Sequence, residues 1–408
     1  MVDEITGKTP NDLTLYVDGK EITVESARFL RTLDTCADAC NVTFPWFPGD
    51  DLDIDSKTKP FSYSPTGLYL GGNLQMEGIL YNSTHKLEKS GRAKDLEIYS
   101  KTADIIDSTV IPPYEAANIS LKDRCKQQCE PFKIDVLVGE GVDLTQIKKV
   151  QVPIYEPSRI NRIVPFYMLG IRQFPQMRQM APSAKIEETQ KFKTVVTREE
   201  QKFSRVSAEQ TEKIFGHLKK LAAQVGVLLS CTKNGDLLLI KPNVNGKSIG
   251  TINEEHPSGD NDKYLIEFNG RERWSRYRAI ATSSKHSKAA KVGVAKDDVV
   301  RAPRILTFRA DDSIPGEALN CAEWRRNKAA ADSLSIPFPV NSWYGPDNNL
   351  WCPNTKVTVV SPTIGAKDGF DFLISQVEFR FEKSGTTAIL KLIPPTMFTT
   401  AKVEEPWL

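Results

Sequence analysis

Two carboxylates, Asp104 and Asp107, lie three residues apart in SKTADIIDST, Ser100 to Thr109, a stretch that also carries four hydroxyl groups. On a helix that spacing puts both on one face. With a third ligand or a substrate cleft they could act as acid and base or hold a divalent cation. The same residues also suit a plain turn, with Ser100 or Thr102 as cap, Ile105 and Ile106 turned inward and the carboxylates beside a helix start. Local physics favours the turn. A second acidic group, Asp50, Asp51, Asp53 and Asp55, resembles part of a calcium loop but lacks the glycine and closing Glu of an EF-hand, and reads as a solvated loop. The run RERWSRYR, Arg271 to Arg278, has the basic and aromatic texture of a nucleic-acid surface. As a strand it would place Arg271, Arg273, Ser275 and Tyr277 on one side and Glu272, Trp274, Arg276 and Arg278 on the other. Neither face is wholly basic, and arginines framing a subunit contact fit as well.

The seven cysteines, Cys36, Cys40, Cys125, Cys129, Cys231, Cys321 and Cys352, include two C-x-x-x-C pairs. That spacing suits one helix face and not the C-x-x-C geometry of zinc or redox hairpins, so buried thiols in a reducing compartment are expected. The four histidines, His85, His217, His256 and His286, are dispersed. No G-x-S-x-G, H-E-x-x-H, phosphate-binding or dinucleotide-binding motif occurs. The sequence therefore assigns no catalytic, cofactor-binding or metal-ligating residue, and the expectation is a protein that is not an enzyme and takes no cofactor. Lys and Arg number 54 against 52 Asp and Glu, a net charge of +2, which argues against a surface built throughout for nucleic acid or anionic lipid. The acidic amino terminus lacks the apolar core of a signal peptide, no apolar run is long enough to span a membrane, and cytoplasmic synthesis is expected.

At 408 residues the chain exceeds what one core usually serves. The first third reads as short strands around the turn dipeptides Asp18-Gly19 and Gly71-Gly72, with a helical turn from Asp34 through DTCADACN. Strands are expected at 67–70, 74–81, 85–89 and 95–99. A helix capped by Asn118 or Ser120 and stopped by Pro131 leads into a strand at 133–138. Prolines from Pro153 to Pro182 mark an extended arm or insertion. A helix follows from a Ser207–Gln210 capping box, with Ile214, Leu218, Leu221, Ala222 and Val225 on one face and Gly226 at its stop. Further hairpins are expected around Asn234-Gly235 and Asn269-Gly270, then a Lys-rich loop at 285–297, a helix after Pro315 and four closing strands. No repeat appears at a period of 20–50 residues, yet the first and last thirds share a grammar of strand pairs plus one helix.

Three blocks in this order resemble the baseplate hub proteins of contractile phage tails, of the phage Mu type, also called gpP-like or late-control tail proteins. The first, FPWFPGDDLDIDS to KTADIIDST, puts Pro48, Gly49, Asp50, Gly78, Gly91, Arg92, Lys101, Thr102, Ala103, Asp104 and Asp107 on pattern positions. The second is SLKDRCKQQCEPFKIDVLV, and the third runs from RAPRILTFRADD through the helix to the closing strands. The stretch 150–200 and the insertion at 285–300 are longer than the pattern. The resemblance implies an α+β, mainly β fold in which two similar tube-type β-barrels, 1–112 and 263–396, flank an α/β middle domain, 113–262, with a tail at 397–408. It further implies a homotrimer of pseudo-sixfold symmetry joining a hexameric tail tube, or tube initiator, to a trimeric spike. Tape-measure and baseplate wedge proteins would be neighbours, DNA would pass only in transit through the lumen, and no membrane anchor is needed. Its place would be the virion baseplate, after assembly in the host cytoplasm, and Asp104 and Asp107 would mark a domain junction. A tail-associated cell-wall hydrolase and a nucleic-acid-binding module are the alternatives, and the tail from Thr399 to Leu408 would either dock a partner or stay loose.

Overall fold

The computed structural model describes residues 5, 7–88, 91–153, 192–254, 265–281, 292–310, 318–383, 385–400 and 403–407. Strands β1 (Leu13–Val17) and β2 (Lys20–Ile22) form the expected hairpin. Its turn residues Asp18 and Gly19 hold φ of 46° and 80°, as a tight hairpin requires. Then follow β3 (Ser26–Thr32), β4 (Ala39–Pro45), helix α1 (Leu52–Lys57), β5 (Pro65–Leu70), β6 (Asn73–Glu88), β7 (Gly91–Ser100) and helix α2 (Ala103–Asp107). The helical turn expected from Asp34 does not form. Cys36, Asp38 and Cys40 are all buried, a period of two that belongs to a strand approach, and β4 starts there. The two strands expected at 74–81 and 85–89 are one strand, β6.

In the next region β8 (Glu115–Ser120) leads into helix α3 (Leu121–Cys129) and β9 (Val136–Val138). Ser120 caps α3 by accepting from the Asp123 N–H at 3.1 Å. Residues 144–201 are a compact unit of their own, described here as the antiparallel pair β10 (Thr145–Pro153) and β11 (Phe192–Glu200). Beyond Pro153, the expected arm lies outside the described residues. Strand β12 (Lys202–Ser207) pairs with β8, so Ser207 is held in a ladder and caps nothing. Helix α4 (Ile214–Gln224) starts seven residues later, burying Ile214, Leu218, Leu221 and Ala222. It ends before Gly226, which has φ of 67°. The expected hairpin follows as β13 (Leu228–Cys231) and β14 (Leu237–Ile240), with β9 added in parallel to β14, and then β15 (Ser248–Asn253).

The last part contains β16 (Glu267–Phe268), β17 (Arg276–Ala281), β18 (Val292–Lys296), β19 (Ile305–Ala310), helix α5 (Ala318–Asp332), β20 (Leu334–Ser335), β21 (Pro337–Val340), β22 (Lys356–Ser361), β23 (Ala366–Glu382) and β24 (Gly385–Ile393). The hairpin expected at Asn269-Gly270 is absent. Glu267 and Phe268 pair with β20 instead, and Gly270–Glu272 is a 3-10 turn. Of the Lys-rich loop at 285–297, residues 285–291 lie outside the described residues, and 292–296 are strand β18. Strand β17 lies between β18 and β19, with Tyr277, Ala279 and Ala295 packed on Ala318, Ala322 and Ala329 of α5. Contact there is close: a Cβ on Gly293 would fall 2.1 Å from the Ala318 carbonyl carbon.

Among the described residues strand outweighs helix, 46% to 18%, so the mainly β expectation holds. Twelve strands make one sheet in the order β15-β22-β23-β3-β4-β7-β6-β5-β1-β2, with β24 attached to β23 and β21 to β24. The first and last thirds are thus joined by backbone pairing, because β3 runs antiparallel to both β4 and β23. Across that seam Phe29 stacks on Phe379 with centroids 5.7 Å apart, and one core cluster draws Leu15, Val42 and Leu96 together with Val357, Phe372 and Leu390. Each such side chain contributes about 1.5–3 kcal/mol by leaving water.

Within this sheet one four-strand pattern occurs twice, as β5-β6-β7-β4 and as β22-β23-β24-β21. A shift of 294 residues (88 to 382) maps the β6–β7 ladder onto the β23–β24 ladder pair by pair. Glu88↔Gly91 becomes Glu382↔Gly385, and Asn82↔Glu97 becomes Gln376↔Lys391. Each ladder has one register shift at the same place, between Leu80 and Asn82 and between Ile374 and Gln376. Burial keeps step too: Lys94, Leu96 and Ile98 are buried, as are Ala388, Leu390 and Leu392. The two turns even share the tetrapeptide Glu-Lys-Ser-Gly, at 88–91 and 382–385.

Candidate functional site

The turn holding Asp104 and Asp107 is built from β7 outward. Ser100 Oγ and Thr102 Oγ1 lie 2.8 Å apart, and Ser100 Oγ accepts from the Asp38 N–H at 3.1 Å. Thr102 is therefore occupied within the turn and makes no side-chain cap to α2. Ala103 and Ile105 are buried, and Ile105 anchors the turn as expected. Tyr81 Oη donates to Asp104 Oδ1 at 2.5 Å, and burial first, then that bond, pushes the Tyr81 phenol pKa up. The Asp107 carboxylate is exposed, while its backbone carbonyl accepts from Lys213 Nζ. Ser108 O takes the Ile214 N–H at 3.0 Å and Val110 donates to Glu212 O at 2.9 Å. The Asp104 carboxylate is taken up by Tyr81 while Asp107 contributes its backbone carbonyl, and the turn fastens β7 to the start of α4.

The Asp50–Asp55 cluster is likewise structural. Asp51 caps α1, accepting from the N–H groups of Asp53 at 3.0 Å and Ile54 at 3.1 Å, and pairs with Lys20 at 2.9 Å. Asp55 accepts from the Gly49 N–H at 2.8 Å and from Trp46 Nε1 at 2.5 Å. The Lys20 bond holds the Asp51 carboxyl below the usual range, and the Gly49 N–H does so for Asp55. Above this loop Lys94 is buried, its Nζ 4.2 Å from the Trp46 ring centroid and donating to Thr58 Oγ1 at 2.9 Å. Among the described residues, no group of three His, Cys, Asp or Glu side chains could hold a metal ion. Cys36, Cys40, Cys125 and Cys129 are buried, and burial pushes the Cys129 thiol up to about 12. The helical spacing holds for Cys125 and Cys129 on α3 only, since Cys40 is in β4.

RERWSRYR divides differently from a single strand. Arg273 is buried, donating from Nε and Nη2 to Asp297 at 2.9 and 3.3 Å and from Nη1 to Glu405 Oε1 at 2.9 Å. Burial opposes its charge, but these carboxylates outweigh that and hold its pKa above the ordinary value. Glu405 thereby ties the end of the chain down, and Trp407 meets Phe268 edge-on at 5.0 Å. Residues 403–407 dock on their own chain. Arg276 and Arg278 share the exposed face of β17, while Tyr277 points into the core.

Two polar clusters, one part-buried around Arg31 and one buried around Arg124, had no local signal in the sequence. Arg31 Nε donates to Asp38 Oδ2 at 2.9 Å and its Nη2 to the Gln75 carbonyl at 2.6 Å. Arg124 donates from Nε to His217 Nε2 at 3.3 Å and from Nη1 to the Pro113 carbonyl at 2.9 Å, while His217 Nδ1 lies 3.6 Å from Glu212. Burial first, then the Arg124 charge, lowers the His217 pKa to about 4. A basic residue spaced like any surface one carries no mark of burial. Only pairing partners far along the chain reveal it.

Residues 314–401 match the family model described as the fourth domain of the Mu phage baseplate assembly protein GpP. The resemblance to Mu-type baseplate proteins holds. The matched residues contain α5 and β20 to β24, the second of the two corresponding ladders. Among solved structures the fold is similar to the 43 kDa tail protein of prophage MuSo2 from Shewanella oneidensis, at 18% identity and TM-score 0.65, covering 95% of this chain and 98% of that one. It is similar to a tail protein from Neisseria meningitidis MC58, at 17% identity and TM-score 0.66, with the same coverage of 95% and 98%. Prophage tail protein gp18 from Listeria monocytogenes EGD-e follows at 10% identity and TM-score 0.50, covering 93% and 94%. No curated protein matches the chain. In the Mu-type pattern Gly78 is a close-approach glycine: a Cβ there would meet the Tyr99 carbonyl oxygen at 2.5 Å. Pattern residue Lys101 bridges Glu77 at 2.6 Å and the Asn234 carbonyl at 3.3 Å.

Proposed function

We propose that this chain is the structural hub of a contractile phage tail baseplate, a homotrimer of pseudo-sixfold symmetry that joins the hexameric tail tube to the trimeric spike. The observation that carries this reading is the double occurrence of one four-strand ladder, with register, bulge and burial kept over a shift of 294 residues (88 to 382). Identical contacts repeat only where rotation operators agree. A chain holding two similar units offers six near-equivalent positions in a trimer, so one assembly can meet sixfold and threefold neighbours. In this reading 1–112 and 263–396 are two tube-type barrel domains, 113–262 is an α/β middle domain carrying the insertion at about 150–200, and 397–408 is the tail. The partners are the tube or its initiator, the spike, tape-measure and wedge proteins, with DNA passing through the lumen of the virion baseplate. The role is assembly through large matched surfaces, without turnover. Light scattering is expected to give three times 45.7 kDa, and negative stain is expected to show rings. A monomer at high concentration overturns the proposal.

A further inference from the structure

The two corresponding ladders differ in what covers them. Strand β5 covers β6 over residues 73–79, and β22 covers β23 up to Leu373. Beyond that point β23 is covered by β3, which pairs with residues 376–381. The matching stretch of β6, residues 82–87, pairs with β7 on one side and with no strand on the other among the described residues. Exposure follows: Glu378 and Phe379 are 5% and 2% exposed, whereas Leu87 is 75% exposed. The counterparts Thr84 and His85 are also exposed.

We propose that this open edge of β6 is completed by a strand from a second copy of this chain, an inference that rests on the hub reading. Within one chain the junction between the two units is β3 laid on the distal half of β23. A ring of alternating units needs a matching junction between chains, and the distal half of β6, with no second strand among the described residues, holds the position that corresponds to the covered half of β23. The orientation of the backbone agrees. Leu33 donates to the Ser375 carbonyl at 2.8 Å. From there antiparallel alternation turns the N–H groups of Val377, Phe379 and Phe381 toward β3. The Leu80 N–H bonds Ser64 O at 3.0 Å where the Ile374 N–H bonds Thr355 O at 2.9 Å, so the outer edges are in phase. Ser83, His85 and Leu87 thus hold the places of Val377, Phe379 and Phe381. Among the described residues β21 pairs only with β24, and its outer edge lacks an N–H at two positions. Leu392 donates to Ile336 O at 3.0 Å, which turns the nitrogens of Pro337 and Pro339 outward, and neither carries a hydrogen.

The test is amide hydrogen exchange on the full chain, with mass by light scattering, for the wild type and His85→Pro, which deletes one outward N–H and leaves the β7 side intact. The expected result is an assembly of three times 45.7 kDa in which the Ser83, His85 and Leu87 amides exchange as slowly as those of Val377, Phe379 and Phe381. His85→Pro is expected to fall to 45.7 kDa. A trimer in which the three amides exchange at unprotected rates overturns this inference and leaves the hub reading standing. A monomer with unprotected amides overturns both. A monomer with protected amides shows that the chain covers its own edge and overturns the second-copy assignment.

Discussion

The β6–β7 and β23–β24 hairpins are one ladder in two settings. Their pairings agree residue by residue, yet 376–381 lies under β3, whereas among the described residues 82–87 has no strand neighbour but β7. Side chains have followed the cover. Phe379 stacks on Phe29 and meets Trp343 edge-on at 6.4 Å, while its counterpart His85 lies against the Trp46 ring at 4.6 Å and is exposed. Ladder geometry is therefore set by the hairpin itself, through bulge and turn, whereas side-chain identity is set by what packs on it. An apolar residue is retained where a strand covers it within the chain. Leu87 is the exception, apolar without cover, and it marks the edge assigned above to a second copy.

Paired substitutions test this division. Phe379→Ala should cost about 3–5 kcal/mol in urea unfolding, the usual penalty for emptying an aromatic site in a core. His85→Ala, at the matching position, should cost less than about 1 kcal/mol. Equal losses at both sites would break the comparison. The α/β region between the two ladders offers a separate handle. His217, pulled down to about 4 from 6.5, is kept neutral among Arg124, Glu212 and Lys220. Between those values the unfolded chain binds the extra proton, so stability is complete above pH 6.5 and falls as pH drops toward 4. The loss should reach about 2–3 kcal/mol. His217→Gln should flatten that slope, and coincident loss of circular dichroism and tryptophan signals would show that the ladders unfold with this region.

A milder pair is Glu378 and Thr84. Glu378 accepts from Arg28 Nη2 at 2.6 Å and from Arg380 Nε at 2.7 Å with its own side chain 6% exposed, and Arg28 is largely exposed. Glu378→Ala removes a shielded acceptor and should cost about 1–3 kcal/mol. Thr84→Ala, on the open edge, should stay within about 0.5 kcal/mol. Denaturant midpoints at constant slope measure both, and a large effect at Thr84 would mean that its side chain, exposed in the single chain, packs against whatever covers this edge.

What the sequence disclosed follows the range of the forces involved. Asp18-Gly19 and Gly71-Gly72 specify their turns through φ alone, and the buried face of α4 is visible in the spacing of Ile214, Leu218 and Leu221. Where a distant partner decides, local reading fails. Ser207 and Gln210 satisfy a capping box on paper, but Ser207 pairs with Glu115 and extends β12. Phe268 was positioned for a hairpin, but pairs with Leu334. The family pattern placed Asp104 and Asp107 at a junction; the bond of Tyr81 to Asp104 and of Lys213 to the Asp107 carbonyl depends on residues that no local spacing announces. The seam of β3 on β23 joins residues some 350 apart (28 to 380) and leaves no periodic trace. Even so, Glu-Lys-Ser-Gly at 88–91 and 382–385 was a visible sign of the repeat, at a separation far beyond any solenoid period.

The smallest difference between the ladders lies in their shared interior, where Lys94 occupies the place of Ala388. Both are buried, 1% and 0% exposed, but only Lys94 brings a charge, and burial holds its pKa below 10.5. Below that lowered value the ammonium is present in both folded and unfolded chains, and its desolvation is a constant penalty at neutral pH. As pH rises through the lowered value toward 10.5, the unfolded chain binds more protons and stability increases. The contact with Trp46 and the bond to Thr58 Oγ1 offset part of the penalty at neutral pH. Lys94→Met keeps the stem and removes the charge. It should therefore raise stability by no more than about 1 kcal/mol at pH 7, and abolish the alkaline rise. Urea midpoints from pH 7 to 10 measure both. A loss of several kcal/mol on substitution would instead show that the ammonium positions Thr58 and the Trp46 loop, making the first ladder dependent on a polar interior that the second has replaced with alanine.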